Sequence, residues 1–161
     1  MARPIGILMV CLGNICRSPT AEGVLRARLD AAGLSDRVRV DSAGTGDSHL
    51  GQAPDPRAIA CAAGHGIDIS GLRARRLAAE DFDACDLVLC ADDGHFRAVQ
   101  RLARGHDADV RMVREFDPEA GDDLDLADPY YGSHDDFTEC LRQIRRSSDG
   151  IVEHVRAELG A

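Results

Sequence analysis

Two thiols and a guanidinium lie close together early in the chain, in the segment CLGNICRS at residues 11–18, here called the cysteine loop. Five residues separate Cys11 from Arg17. Gly13 and Asn14 tolerate positive φ, so the loop can curl until successive backbone N–H groups point inward and form a cradle for an anion. Such a cradle stabilises a thiolate, the reactive form of cysteine. We therefore predict that Cys11 is a nucleophile placed beneath an anionic substrate.

Arginine supplies what backbone amides lack, because its planar guanidinium binds two phosphate oxygens at once. Arg17 is expected to hold a phosphoryl group in line with the sulfur of Cys11, and attack would give a cysteinyl-phosphate. The hydroxyl of Ser18 is placed to stabilise the thiolate when it leaves. The predicted phosphate-binding residues are Leu12, Gly13, Asn14, Ile15, Cys16, Arg17 and Ser18.

Cleavage of a phosphate ester also requires an acid that protonates the departing oxygen. The segment DPYYG, residues 128–132, offers Asp128 for that role, and the same carboxylate can then accept a proton from water. Tyr130 and Tyr131 are expected to wall a pocket for a flat aromatic ring. Aspartate is abundant in this chain, so spacing alone does not single out Asp128.

Strand and helix patterns alternate along the chain and predict the elements that must position these residues. Apolar runs predict strands at residues 5–10, 37–42, 85–90 and 109–113. Helical spacing predicts helices from an N-cap at Ser18 to Gly33, from about Asp55 to Gly64, at 92–103, and from Ser133 to about Leu159. Gly150 is interpreted as a weak point of the last helix.

Alternating strands and helices joined by right-handed crossovers wind into a parallel sheet covered on both faces. We predict a flavodoxin-like α/β fold, with four parallel strands in the order 2-1-3-4, that forms a single domain over residues 1–161. In such sheets the ligand lies beyond the carboxyl ends of the strands, where the winding direction switches. That switch falls between the first and third strands, so the cysteine loop is expected at the site.

Composition excludes several classes of function. The formal net charge of −9 argues against a nucleic-acid binder, which would need a basic face for the phosphates. All 19 basic residues are arginine, so Schiff-base chemistry and a phosphate-binding lysine are excluded. No His/Cys cluster has metal-ligand spacing, and no cofactor is expected. No apolar run is long enough for a membrane span.

The six cysteines are expected to be reduced, because Cys11, Cys85 and Cys90 lie in or beside predicted buried strands. Cys61 and Cys140 are interpreted, with Cys85 and Cys90, as packing residues. No convincing secretory leader is present, so the sequence predicts a cytoplasmic protein and leaves export by a leaderless route open.

The order and spacing of these segments resemble the low molecular weight protein tyrosine phosphatases over nearly the full length. VCLGNICRSPTAEG matches that family's N-terminal phosphate loop, and DSAGTG and PDPRA follow in the family's order. GHGID and EDFDACDLVLCAD match the middle of the family's sequences, and DPYYG matches its late acid loop. The resemblance implies a metal-independent phosphatase that acts on tyrosine-phosphorylated proteins or small aryl phosphates, with inorganic phosphate as product and inhibitor.

Residue by residue, the resemblance implies that Cys11 is the nucleophile, Arg17 binds phosphate, and Asp128 is the general acid and then the base. The polar network that holds the family's loop open is matched by Asn14, Ser18, Ser42 and His65. Cys16 matches a second loop cysteine, which can form a reversible disulfide with the nucleophile and protect it from over-oxidation.

One departure from the family concerns the wall of the pocket. Where the family usually carries Trp or Tyr, this chain has Ser48, with His49 beside it. Aromatic stacking on one side of the substrate ring is therefore not expected. Weaker binding of phosphotyrosine peptides, or a different preferred substrate, follows from this.

Three alternatives stay open at this point. Phosphoarginine hydrolysis goes, in the family, with a threonine after the loop asparagine, and Ile15 at that position favours phosphotyrosine. Thiol-coupled arsenate reduction needs a relay of cysteines after the third strand; Cys90 is one candidate, and the segment ADDGHFR adds no second. A phosphoprotein-binding module without catalysis would be expected to lack the nucleophile or the acid, and both are present.

Overall fold

Four parallel strands form the sheet in the predicted order. The computed structural model describes residues 3–160, and its strands are β1 Ile5–Cys11, β2 Val38–Gly44, β3 Leu87–Cys90 and β4 Asp109–Met112. Their order in the sheet is β2-β1-β3-β4, and every pairing is parallel. The predicted α/β sheet is therefore confirmed.

The carboxyl ends of β1, β2 and β3 meet at one edge of the sheet. Cys11 pairs in register with Gly44 of β2, and Val10 pairs with Cys90 of β3. The loops that follow these strands therefore converge at the switch between β1 and β3. This register places the cysteine loop beside the segment that begins at Ala91.

Helices pack on both faces of this sheet. Their bounds are α1 Arg17–Ala31, α2 Pro56–Ala63, α3 Asp81–Ala84, α4 Asp93–Leu102 and α5 His134–Leu159, with a 3₁₀ helix at Val113–Phe116. The sequence pattern does not predict α3 or the 3₁₀ helix, since each has only four residues and shows no helical period. Within residues 3–160, none of the helices has the length and apolar composition that crossing a membrane requires.

Side chains of β1 alternate between two cores, as the period of a strand requires. Ile7 and Met9 pack in the cluster that includes the buried sides of α1 and α5. Leu8 and Val10 pack in the opposite cluster, together with Phe82 of α3. The first strand is thus buried on both faces, as its continuous apolar run predicts.

Helix α1 begins earlier than the sequence predicts. The predicted N-cap, Ser18, lies inside the first turn, and Cys16 occupies the cap position without a side-chain hydrogen bond. The hydroxyl of Ser18 is engaged by Asn14 and Cys11, so it does not cap a backbone N–H. Pro19 remains compatible, because the first N–H groups of a helix have no partner within it.

Gly150 allows a close contact between two helices. Helix α5 continues through it, and a Cβ built at this position would collide with the carbonyl oxygen of Phe116 in the 3₁₀ helix. Any larger residue would push the two helices apart. The glycine that the sequence presents as a weak point is therefore a packing requirement.

Candidate active site

The residues predicted to do chemistry converge on one pocket. Cys11, Arg17 and Asp128 line a pocket of about 220 Å³ at the carboxyl edge of the sheet, although Asp128 comes late in the chain. The predicted wall residues line the same pocket: Ser48, His49, Tyr130 and Tyr131. Segments that are far apart in sequence therefore share one concave surface with the cysteine loop.

Asn14 provides the left-handed turn of the cysteine loop. Its φ is 56°, and among residues 3–160 it is the one non-glycine residue with positive φ. Gly13, although able to adopt positive φ, does not do so, and the turn is made by Asn14. A Cβ at Gly13 would instead lie 3.0 Å from Cδ2 of His49, and one at Gly44 would lie 2.6 Å from the carbonyl oxygen of Leu12. Both glycines let the loop pack closely against its neighbours.

The side chain of Asn14 ties the middle of the loop to its last residue and to two other segments. Its amide nitrogen donates to Oγ of Ser18 at 2.8 Å and to Oγ of Ser42 at 3.0 Å. Its amide oxygen accepts the backbone N–H of Arg75 at 3.0 Å, which fixes the orientation of the amide. Ser42 in turn donates to Oε1 of the buried Glu22 at 2.7 Å. This buried network pairs the polar side chains of Asn14, Ser18 and Ser42 and so holds the loop in place.

His65 does not take part in this network. Its side chain is exposed after the end of α2, and its Nδ1 lies 2.9 Å from the carbonyl oxygen of Cys61. The geometry therefore does not meet the prediction that His65 supports the loop; the backbone N–H of Arg75 does so instead. Sequence reasoning misses Glu22 and Arg75, because a helical glutamate and a backbone N–H carry no distinctive pattern.

The sulfur of Cys11 has a hydroxyl beside it. Cys11 is 3% exposed, and its Sγ lies 2.9 Å from Oγ of Ser18. Because this oxygen already accepts a hydrogen bond from the Asn14 amide, its own proton is free to point at the sulfur. A donor in this place stabilises negative charge on the sulfur.

Three oxygens hold the guanidinium of Arg17. Its Nη1 donates to Oδ2 of Asp92 at 3.0 Å and to the carbonyl oxygen of Leu126 at 3.3 Å. Its Nη2 lies 3.6 Å from Oδ2 of Asp128. Burial opposes the charge of Arg17, but Asp128 and Cys11 outweigh burial, with help from Asp92, and the pKa of Arg17 rises. The guanidinium therefore stays charged beside the sulfur.

Asp92 opens the helix predicted at 92–103 and is a site residue that the sequence analysis does not single out. It does cap α4, since its Oδ1 accepts the backbone N–H of His95 at 3.0 Å. Burial raises the pKa of Asp92, but the contacts with His95 and Arg17 more than offset this and hold the pKa below its usual value. The signal that points to Asp92 is its place just after β3, at the switch edge of the sheet.

Asp128 remains open to solvent, with its side chain 53% exposed. Its Oδ1 accepts the backbone N–H of Tyr130 at 3.2 Å, and the rings of Tyr130 and Tyr131 meet edge to face with centroids 4.8 Å apart. Arg57 donates to the carbonyl oxygen of Tyr130 at 2.8 Å and is itself paired with Asp55 at 2.8 Å. Sequence reasoning misses this pair, which anchors the acid-bearing loop to the start of α2.

The loop after β2 contributes the part of the wall that departs from the family pattern. Ser48 is exposed, whereas the ring of His49 is half-buried against Gly13. The Nδ1 of His49 lies 3.1 Å from Oε1 of Gln52. This side of the pocket therefore presents a hydroxyl and an imidazole.

The other cysteines are buried thiols. All six cysteines are free and buried. Burial, with Asp55 and Cys11 nearby, raises the pKa of Cys16 to about 12. Burial also raises the pKa of Cys90 to about 12 and raises that of Cys140. In residues 3–160, no group of three or more His, Cys, Asp or Glu side chains is arranged to hold a metal ion.

Comparison with known proteins gives consistent matches over almost the whole chain. The family model for low molecular weight phosphotyrosine protein phosphatase matches residues 6–161. A low molecular weight protein-tyrosine-phosphatase of Streptomyces coelicolor is 47% identical over 156 residues, which cover 95% of this chain and 94% of that protein.

Solved structures agree with this match. The crystal structure of YfkJ from Bacillus subtilis has a TM-score of 0.89 at 29% identity and covers 98% of each chain. That of DARP, the drosophila arginine phosphatase, has a TM-score of 0.87 at 25% identity, covering 93% of this chain and 97% of that one.

A parallel sheet that carries a cysteine-and-arginine loop at its switch edge defines a class of cysteine-dependent phosphatases. The chain belongs to the low molecular weight protein-tyrosine phosphatase family. The resemblance that the cysteine loop and the DPYYG segment indicate is thereby confirmed.

Proposed function

We propose that this chain hydrolyses phosphotyrosine through a cysteinyl-phosphate intermediate. The observation that carries the proposal is the placement of Cys11, Arg17 and Asp128 around one pocket. These side chains supply the three groups that the reaction needs: a nucleophile, an anion binder and a proton donor.

In the first displacement, the sulfur of Cys11 attacks phosphorus, the S–P bond forms and the bond from phosphorus to the tyrosine oxygen breaks. Asp128 gives its proton to that oxygen. Arg17 and the backbone N–H groups of the cysteine loop stabilise the charge on the equatorial oxygens. Because Asp128 lies 3.6 Å from Arg17 in the free site, the incoming phosphate replaces this contact.

In the second displacement, water attacks phosphorus and the S–P bond breaks. Asp128, now a carboxylate, accepts the proton of the water. The hydroxyl of Ser18, 2.9 Å from the sulfur, stabilises the departing thiolate. The product is inorganic phosphate, and we expect it to inhibit by occupying the same loop.

The pocket favours an aryl phosphate over phosphoarginine. Ile15 lines it with an apolar side chain, and Tyr130 adds a half-buried ring. An apolar wall suits an aromatic ring, whereas the guanidinium of phosphoarginine would need hydrogen-bond acceptors. The substrates we propose are tyrosine-phosphorylated proteins or small aryl phosphates. The likeness to the drosophila arginine phosphatase makes phosphoarginine the alternative to test.

Arsenate reduction has less support. A thiol relay would need Cys90 to reach the oxyanion site, but Cys90 is fully buried in β3 and is absent from the lining of the pocket. Burial also keeps its thiol protonated, since the pKa of Cys90 is about 12.

The test is hydrolysis of para-nitrophenyl phosphate and of a phosphotyrosine peptide in the presence of a metal chelator. Cys11→Ser is expected to abolish turnover, and Asp128→Asn to reduce it far more for phosphotyrosine than for esters with good leaving groups. Cys90→Ser, a change at a buried thiol outside the pocket, is the matched control and should retain activity. Turnover by Cys11→Ser equal to that of the parent would contradict the proposal, and faster turnover of phosphoarginine would reassign the substrate.

We also propose that Cys16 protects Cys11 from over-oxidation. Peroxide would oxidise Cys11 to a sulfenic acid, and the thiol of Cys16 would attack that sulfur to form a disulfide and release water. Both residues are buried in the cysteine loop and line the same pocket. Because the pKa of Cys16 is about 12, its thiolate is scarce and formation of the disulfide is expected to be slow.

Free cysteines suit a reducing compartment, so we propose a cytoplasmic location.

Mass spectrometry after peroxide treatment tests the redox proposal. The parent should carry a disulfide that a dithiol reduces with full recovery of activity. Cys16→Ser should instead accumulate irreversible sulfinic acid at Cys11. Equal recovery of parent and variant would contradict the protective role.

A further inference from the structure

His95 has no part in the reaction proposed above, yet it contacts the carboxylate that holds Arg17. The Nδ1 of His95 lies 2.7 Å from Oδ1 of Asp92. The other oxygen of Asp92, Oδ2, accepts a hydrogen bond from Nη1 of Arg17 at 3.0 Å. One carboxylate therefore joins a histidine to the guanidinium that is proposed to bind phosphate.

The short contact requires a hydrogen on Nδ1. The low pKa of Asp92 keeps its carboxylate ionised, so its oxygens only accept, and a bare Nδ1 at 2.7 Å would repel them. The angle at the ring is nevertheless poor, and Nδ1 has no aligned hydrogen-bond partner in the part of the chain that the structure describes. At neutral pH the contact between His95 and Asp92 therefore rests on proximity, and charge is added only when the ring is protonated.

Charged groups from three segments surround His95, whose side chain is only 14% exposed. Asp92 lies at the start of its own helix, Arg17 faces it from α1, and Asp128 faces it from the loop before α5. Burial lowers the pKa of His95 by more than Asp92 raises it, and Arg17 lowers it further. The ring is therefore neutral at neutral pH and becomes charged in acid.

We propose that His95 is a positioning residue, which acts through Asp92 on Arg17. When the His95 ring is neutral, the Asp92 carboxylate pairs with the Arg17 guanidinium. When the ring is protonated, the imidazolium competes with Arg17 for that carboxylate. Once released, Arg17 can close on Asp128, which already lies 3.6 Å away. That pairing withdraws both the anion binder and the acid from the reaction. The inference rests on the proposed phosphatase function and adds a residue to it.

The first experiment compares pH profiles of kcat and KM for para-nitrophenyl phosphate in the parent and in His95→Asn, whose side chain does not titrate. At neutral pH we expect the variant to lose about two- to fivefold in kcat with little change in KM, because Asp92 is held less firmly. As the pH falls below 6.5, the ordinary pKa of a histidine ring, the ratio of parent kcat to variant kcat should fall about threefold, since only the parent ring becomes charged. A constant or rising ratio would overturn the proposal.

A second histidine provides a matched control. The Nδ1 of His106 lies 2.9 Å from Oδ1 of Asp83, and neither residue lines the pocket. His106→Asn therefore removes a His–Asp contact of similar length, here a hydrogen bond, away from the reacting groups. Its pH profile should follow that of the parent; the same change in both variants would show a general effect of removing a histidine and would overturn the assignment to His95.

A double-mutant cycle tests the route through Asp92. Asp92→Asn removes the charge but keeps an efficient helix cap, and His95→Asn keeps the backbone N–H that the cap binds. If His95 acts through Asp92, adding His95→Asn to Asp92→Asn should change kcat less than about twofold at any pH. Additive losses would contradict that route. Failure of the phosphatase function would instead appear as turnover that survives Cys11→Ser, so the two failures are distinguishable.

Discussion

The Sγ of Cys11 lies 2.9 Å from the Oγ of Ser18, and the amide of Asn14 fixes which way that hydroxyl can donate. One donor thus serves the sulfur at both stages of the proposed reaction, before it attacks and when it leaves. Because the whole group is buried, the hydrogen bond is not weakened by competition with water.

Ser18→Ala is expected to slow breakdown of the cysteinyl-phosphate more than its formation. Loss of a hydrogen bond to an ionised group costs about 1.5–3 kcal/mol, which corresponds to a rate about 10- to 100-fold lower. Stopped-flow measurement with para-nitrophenyl phosphate should show a burst of nitrophenol followed by slow turnover. Ser148→Ala, which removes a buried hydroxyl that has no hydrogen-bond partner within residues 3–160, is the control and should behave like the parent.

Ser48→Trp should tighten binding of aryl phosphates. Ser48 is exposed on the pocket wall, where an indole would add an aromatic face for the substrate ring. The expected result is a KM for phosphotyrosine peptides about two- to twelvefold lower, from about 0.5–1.5 kcal/mol of ring stacking, with little change for alkyl phosphates. An unchanged KM for aryl phosphates would show that this wall does not contact the ring.

The sheet and the catalytic segments are predictable from the sequence because their signals are local. Ile5–Cys11 is an unbroken apolar run, and a short loop with cysteine, asparagine and arginine follows it directly. Parallel topology then requires the carboxyl end of β1 to lie at the switch edge. The positions of Cys11 and Arg17 follow from these facts alone.

The supports of the site are not predictable in the same way, because they are long-range pairings of common residue types. Glu22 and Asp92 look like ordinary acids near helix starts, and only the fold shows that they reach Ser42 and Arg17. For His65 the sequence predicts a support of the loop that the structure does not show. It lies between glycines in a family-like segment, yet its ring bonds the preceding helix turn at Cys61.

Gly150→Ala should destabilise the protein, although alanine is the better helix former. The added methyl would collide with the carbonyl oxygen of Phe116, and overpacking of this kind costs about 1–3 kcal/mol. Gly94→Ala in α4 is the control. There the Cβ would lie 3.4 Å from Oδ1 of Asp92, so about 0.5–1 kcal/mol of helix propensity should be gained. Urea unfolding measures both, and a stabilised Gly150→Ala would contradict the packing argument.

Asp117 joins the 3₁₀ helix to α5 through a fully buried carboxylate. Its oxygens accept from Nε of Arg114 at 3.3 Å, from Nε of Arg146 at 3.0 Å and from the backbone N–H of Glu119 at 2.9 Å. Burial raises the pKa of Asp117, but these donors, above all Arg146, outweigh it and hold the pKa below its usual value. Ionised Asp117 therefore stabilises the folded state.

Asp117→Asn should lower the free energy of unfolding by about 3–5 kcal/mol at neutral pH, because it leaves the buried guanidinium of Arg114 and the half-buried one of Arg146 without the counter-charge of Asp117. Since the pKa of Asp117 is lower in the folded state, the stabilisation is fully present above the unfolded pKa, about 3.9, and is lost as pH falls through the folded value. The free energies of unfolding of parent and variant, measured in urea, should therefore converge as the pH drops below about 4.

Asp93→Asn is the matched control. Asp93 forms an exposed ion pair with Arg97 at 2.9 Å, so this change should alter stability by less than about 1 kcal/mol. A gap between parent and Asp117→Asn that stays constant with pH would mean that the carboxylate charge is not what holds the two helices together.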